Sequence, residues 1–269
     1  MAITTPAGLT AAMAASQSVL IQKASITAAA GFWMSLWAGA GNPGAGSHDP
    51  NDVAAGIVPT AATAGAPVLT AFPGGETGYL GAVQGVSSIA GRIRIVDLLF
   101  AAGRVSLGSA ATTSLTGQPS FESRLPDADY GPVEAWLVMQ AANGAANTTV
   151  TISYQNQDDD AATATLDNNL NAYPVNRLMP FRLAAGDKEI TRLNSITVGG
   201  ATSTGYVTIY LVRKLAEVAV VAANIGEPTQ DWFKLGGRRL TADSCLAAWF
   251  LSTTTSTGAI SVGLEVIRG

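Results

Sequence analysis

The pattern of apolar and polar positions divides the chain in two. From residue 70 onward it is strand-like. The runs 93–100 (IRIVDLLF), 133–140 (VEAWLVMQ), 148–155 (TTVTISYQ), 206–214 (YVTIYLVRK), 245–252 (CLAAWFLS) and 260–268 (ISVGLEVIR) are rich in β-branched and aromatic residues. Several alternate with period two, and small polar turns separate them. Before residue 70 the spacing predicts one helix, over 6–25: Thr5 caps it, Pro6 takes the first position, and Leu9, Met13, Leu20 and Ile21 share a face. Residues 28–73 are rich in Gly, Pro and Ala with little periodicity, which predicts an extended arm or long loop ordered by whatever covers it. The expected division is an N-terminal arm, 1–69, and a β-sandwich, 70–269.

Four segments echo one another. AWLVMQAANGAANTTVTISY from Ala135 and AWFLSTTTSTGAISVGLEV from Ala248 share Ala-Trp, a short apolar run, a small-residue turn and an alternating strand. ITVGGATSTGYVTIYLVR from Ile196 repeats the second half, and YLGAVQGVSSIAGRIRIVDLL from Tyr79 is a looser copy. Read as four long antiparallel hairpins, they predict an all-β fold: an antiparallel jelly-roll-like β-sandwich of about eight strands, carrying the extended arm. Duplication and convergent strand chemistry both produce such an echo.

Composition adds a partner. Charged residues make up 13% of the chain, about half the usual share for a soluble domain. Such a surface suits a protein that keeps much of itself against neighbours. The net charge of −4 argues against nucleic acid, which needs clustered Lys and Arg. Up to Gly91 the only basic side chain is Lys23, and the acids are Asp49, Asp52 and Glu76. The most apolar stretch, 26–40, is too short and too rich in Gly, Ser and Thr for a membrane span, and the first residues lack the basic region of a secretion signal. Cys245 is the single cysteine, so no intrachain disulfide forms; this fits folding in a reducing cytoplasm.

The residues that carry chemistry are few. Gly39-Ala40-Gly41-Asn42-Pro43-Gly44 spells G-x-G-x-x-G, but Ala45-Gly46-Ser47-His48-Asp49-Pro50 will not propagate a helix, and no acid follows about twenty residues on. No cofactor is expected. His48 is the only histidine; Ser47, His48 and Asp49 are consecutive and cannot converge as a triad, so a surface-loop histidine is expected. Asp158, Asp159, Asp160 and Asp167 form the best oxygen-ligand cluster, without EF-hand spacing, and are expected at a solvated hairpin tip with no metal. Trp136 and Trp249 read as core. Phe32, Trp33, Leu36 and Trp37 are concentrated apolar area in an arm with almost no charge. They are expected either to anchor into a partner or to dock onto the chain's own sandwich.

With arm and strands in place, three segments carry a resemblance: AAAGFWMSLWAGAGNPGAG, AGRIRIVDLLFAAGRVSL, and LMPFRLAAGDKEITRLNSITV followed by VTIYLVRKL. The chain resembles accessory structural proteins of tailed-bacteriophage virions, especially capsid decoration or cement proteins. The resemblance implies a non-enzymatic β-sandwich on the virion capsid surface, a major capsid protein as partner, self-association as a homotrimer, and no catalytic residues. A receptor- or glycan-binding module of a tail fibre is the alternative, and a carbohydrate-active enzyme on a β scaffold the third.

Overall fold

In the computed structural model, residues 3–73, 76–201 and 204–269 are described, and they form an antiparallel all-β protein with a helix near the N-terminus. Helix α1 (Pro6–Ala14) starts as the sequence requires: Thr5 is extended and accepts the Gly8 N–H at 3.1 Å, and Pro6 opens the first turn. The expected helix over 6–25 is too long. After Ala15 the inward positions become alternate, so Val19, Ile21 and Lys23 face in, and strand β1 (Gln17–Lys23) follows instead.

The remaining strands are β2 (Trp33–Ser35), β3 (Gly41–Asn42), β4 (Asp52–Ile57), β5 (Gly78–Ser87), the long β6 (Gly91–Ser106) and β7 (Ala111–Ser114). Then come β8 (Val133–Ala141), β9 (Val150–Gln155), β10 (Ala161–Leu166), β11 (Arg177–Arg182), β12 (Arg192–Val198) and the long β13 (Tyr206–Ala222). The chain ends through β14 (Ile225–Gly226), β15 (Gln230–Asp231), α2 (Trp232–Leu235), β16 (Arg239–Leu240), β17 (Leu246–Ser252) and β18 (Ile260–Arg268).

Six of these strands close a ring. β13 pairs with β6, β6 with β17, β17 with β2, β2 with β11, β11 with β8, and β8 returns to β13. The spine is the β6–β13 ribbon; its 16- and 17-residue strands span about 50 Å at a strand's rise per residue. Two outer layers cover this ribbon. At one end β5, β18 and β1 enclose a core with Ile93, Ile95, Val218 and Phe250. At the other, β10, β9, β12 and β7 enclose a second core with Leu99, Phe100, Ile152, Ile196 and Ile209.

The four echoed segments are therefore not hairpins. β5 and β6 do not pair, nor do β17 and β18, β8 and β9, or β12 and β13. Each turn carries the chain across a core, two over the first and two over the second. An arch and a hairpin share the same strand–turn–strand pattern, and only partner choice separates them. Thr202 and Ser203, in the turn of the Ile196 copy, lie outside the described residues.

The sequence before residue 70 is woven into the sheets. β1 pairs with β18 over its whole length, and β2 fills the gap between β17 and β11 that closes the ring. Among the described residues, no helix is long and apolar enough to cross a membrane.

Candidate functional site

Alternation along the ring strands aims one set of side chains inward, and this set fills the barrel. Trp136 on β8 and Trp249 on β17 come from opposite sides of the ring and meet edge-to-face, with centroids 5.0 Å apart. Val96, Leu98, Val138, Leu178, Val212 and Ala247 complete the packing. At one mouth Arg94 donates to Glu217 at 2.9 Å and to Glu134 at 3.4 Å, with its guanidinium 4.5 Å from the Trp33 ring centroid. Glu134 also accepts the Trp136 indole N–H at 2.7 Å. Burial opposes the Glu217 charge, but hydrogen bonds from Arg94 and Arg92 outweigh it and hold the carboxyl below its ordinary range.

The other mouth is plugged by the loop holding His48, which is buried rather than on the surface as expected. Asn176 Oδ1 accepts from Nε2 at 3.0 Å, which leaves Nδ1 to accept from the Tyr210 hydroxyl at 2.7 Å. Thr208 Oγ1 donates to the His48 carbonyl at 2.7 Å, and the Trp37 indole to the Ser47 carbonyl at 3.1 Å. Burial pushes the imidazole pKa down to about 4, against the Asn176 hydrogen bond, so the ring is neutral at pH 7. The void beside it is only about 20 Å³. This histidine fastens a plug.

The G-x-G-x-x-G loop has the electrostatics of the opposite of a phosphate cradle. The carbonyls of Gly39, Pro43 and Gly44 accept from Lys23 Nζ at 3.1, 2.8 and 3.1 Å. The loop presents oxygens to a cation, where a pyrophosphate needs N–H groups. Gly41 sits at φ +145°, and a Cβ there would lie 2.0 Å from the Gln22 carbonyl, so it permits β3 to close on β1.

The four apolar residues of the arm divide in two. Leu36 enters the core under β1 and β18, and Trp37 enters the barrel, because alternation from β2 continues through them. Both are spent on the chain's own interior and offer no surface to a partner. Phe32 and Trp33 instead border a groove of about 160 Å³ with Asp167, Asn168, Arg177 and Met179. Arg177, which sequence reasoning missed, is only 4% exposed. Its guanidinium lies 3.4 Å from the ring centroids of both Phe32 and Tyr173. Only Tyr173 is near Arg177 in sequence, and a nearby Tyr and Arg give no sign of stacking.

Asp158, Asp159 and Asp160 lie at the β9–β10 turn, the predicted hairpin tip, where Asn156 Oδ1 accepts the N–H groups of Asp158 and Asp160 at 3.0 Å. Asp167 is elsewhere, paired with Arg182 at 2.8 Å. Cys245 is buried beside Asp97, and burial raises its thiol pKa, so it is not poised as a thiolate.

The outer face of the β10-β9-β12-β7 layer is regular. Cross-strand register places Thr165, Thr151, Thr197 and Thr112 in one row and Thr163, Ser153, Ser195 and Ser114 in the next. Thr112 and Thr197 hydroxyls are 3.0 Å apart.

No protein-family model matches the chain, and no curated protein matches it. Among solved structures it is similar to that of infectious bursal disease virus strain Gx, at 12% identity and TM-score 0.20, covering 94% of this chain and 81% of that one. Strain Gt gives 12% identity and 0.19, covering 94% and 82%. A mutant VP2 protein of the same virus, from derived T=1 particles, gives 11% and 0.18, covering 94% and 77%. Superpositions this loose fix neither fold nor function.

Proposed function

We propose that the chain is a non-enzymatic structural subunit of a viral particle. Within that class it is a decoration or cement subunit on a tailed-phage capsid, self-associating as a homotrimer and seated on the major capsid protein. The observation that carries this reading is the hydroxyl face of β10, β9, β12 and β7. Its eight central positions, in two rows, hold only Ser and Thr. An exposed sheet face ordinarily carries charges that keep it soluble and unpaired. Burying hydroxyls against a neighbour costs far less than burying charges, and symmetric copies multiply the contact. The 13% charge content extends the same property to the whole surface.

The test is the position and copy number of the chain in intact particles, by quantitative mass spectrometry and electron microscopy. Hundreds of copies on the shell support the reading; a few copies at the tail, or none, overturn it. Thr165→Lys with Thr112→Lys, exposed positions at the two ends of the row, should leave the melting temperature nearly unchanged and abolish incorporation. Normal incorporation of that variant would remove the hydroxyl face from the interface.

A further inference from the structure

Arg177 is a buried cation without an acidic partner. Among the described residues, the ion pairs engage Arg92, Arg94, Arg104, Arg124, Arg182, Arg213, Lys234, Arg239 and Arg268, but not Arg177. Its Nε is buried with no hydrogen-bond partner. An unpaired buried charge is costly unless something offsets it. Here the two aromatic rings, with the Tyr173 side chain also favouring the charge, supply part of the offset, and no carboxylate among the described residues completes it.

The groove that Arg177 lines also holds Phe32, Trp33 and Asn168, so an apolar surface and an amide stand beside the cation. Asp167, on the same groove, is neutralised by Arg182 and leaves the net local charge positive. A volume of about 160 Å³ is below that of drug-sized sites and suits one small ring. The larger depression beside Arg239, about 330 Å³, has its cation already paired with Asp127.

We infer that the groove over the paired strands β2 and β11, walled by Asp167 and Asn168, binds a carboxylated sugar unit, of the sialic or uronic acid type, with the carboxylate on Arg177 and the ring against Phe32 and Trp33. Asn168 supplies hydrogen bonds to hydroxyls. The inference stands on the groove alone and holds for a shell subunit or a fibre subunit alike, so it can fail without the proposed location failing.

The test titrates the full chain, by ligand-observed NMR and calorimetry, with N-acetylneuraminate, glucuronate, glucose, glucuronate methyl ester, acetate and inorganic phosphate. One of the two acid sugars should bind saturably at one site per chain. The neutral sugars should bind at least about tenfold more weakly. Arg177→Lys should lose about tenfold or more, since a point charge cannot stack between two rings. Should that variant melt early, Asn168→Ala, which leaves the stack intact, should still weaken binding severalfold. Equal binding of acid and neutral sugars overturns the inference, as does no binding of either acid sugar. Acetate or phosphate binding as tightly as the acid sugars reduces the site to an adventitious anion trap and also overturns it.

Discussion

Asp97 and Arg213 stand opposite each other across the β6–β13 ribbon, with Arg213 Nη2 donating to Asp97 Oδ2 at 3.3 Å. Asp97 falls on the outward face of β6 between Ile95, which enters one core, and Leu99, which enters the other. The carboxylate is fully buried and is shared. Arg124 donates to its Oδ1 from the loop ahead of β8, Ser244 Oγ to its Oδ2 at 2.9 Å, and the Cys245 N–H to its Oδ1 at 2.8 Å. Burial works against the Arg213 charge and Asp97 supports it. One carboxylate thus closes the seam between two cores and holds two buried guanidinium groups.

Removing that carboxylate leaves both cations uncompensated. Asp97→Ala should therefore cost about 3–5 kcal/mol, read from urea midpoints. The exposed Lys234–Glu227 pair is the internal control, and Lys234→Ala should cost no more than about 1 kcal/mol. Comparable losses in the two variants would mean that the seam is not held by charge.

His48 gives the stability a defined pH dependence. Its folded pKa of about 4 lies below the ordinary value of 6.5, so the unfolded chain takes up the proton first. The contribution is complete above pH 6.5 and declines as pH falls towards about 4, where it levels off. The full loss is about 3 kcal/mol. His48→Gln should be less stable than the parent at pH 7.5, yet lose less on acidification; carboxylates titrating in the same range cancel in the difference. Parallel curves for the two proteins would show that the imidazole is not held neutral in the plug.

Two glycines of one motif should behave differently. Gly41→Ala puts a methyl group into the Gln22 carbonyl at a positive φ, and should cost at least about 2 kcal/mol. At Gly44 nothing lies within 4 Å of a new Cβ, and Gly44→Ala should stay within about 0.5 kcal/mol. Thermal melts of the two variants decide. Equal tolerance would remove the close approach of β3 to β1.

Strand identity was legible because 93–100 and 206–214 carry the short, near-continuous β-branched and apolar runs of strands buried on both faces. Partner choice was not. The turn between Ser87 and Gly91 reads like a hairpin, yet it takes the chain across a core, since nothing local distinguishes the two. The same holds for the charged seam: Asp97 meets Arg124 and Arg213 only after the ribbon forms. The rows of Thr and Ser are scattered over residues 112–197 and line up only through register. Phe32 and Trp33 were legible as unusual apolar area, but the cations that stack on them, Arg177 on Phe32 and Arg94 on Trp33, lie on strands far along the chain.

The last expectation concerns the first 69 residues, which have two possible roles with opposite consequences. Were they a tether to a partner, deletion would leave a folded sandwich that fails to join its particle. The pairings favour the other role. Deletion removes β1, exposing β18 along its length, and removes β2, opening the ring between β17 and β11. It also strips Leu36 from one core and Trp37 from the barrel, where a large-to-Ala change alone costs about 2–5 kcal/mol. Two such losses approach the whole stability of an ordinary domain. A fragment spanning 70–269 should therefore show no cooperative thermal transition, and Leu36→Ala with Trp37→Ala should lower the midpoint sharply in the intact chain. A truncated chain that melts cooperatively near the parent temperature would return these residues to the role of a tether.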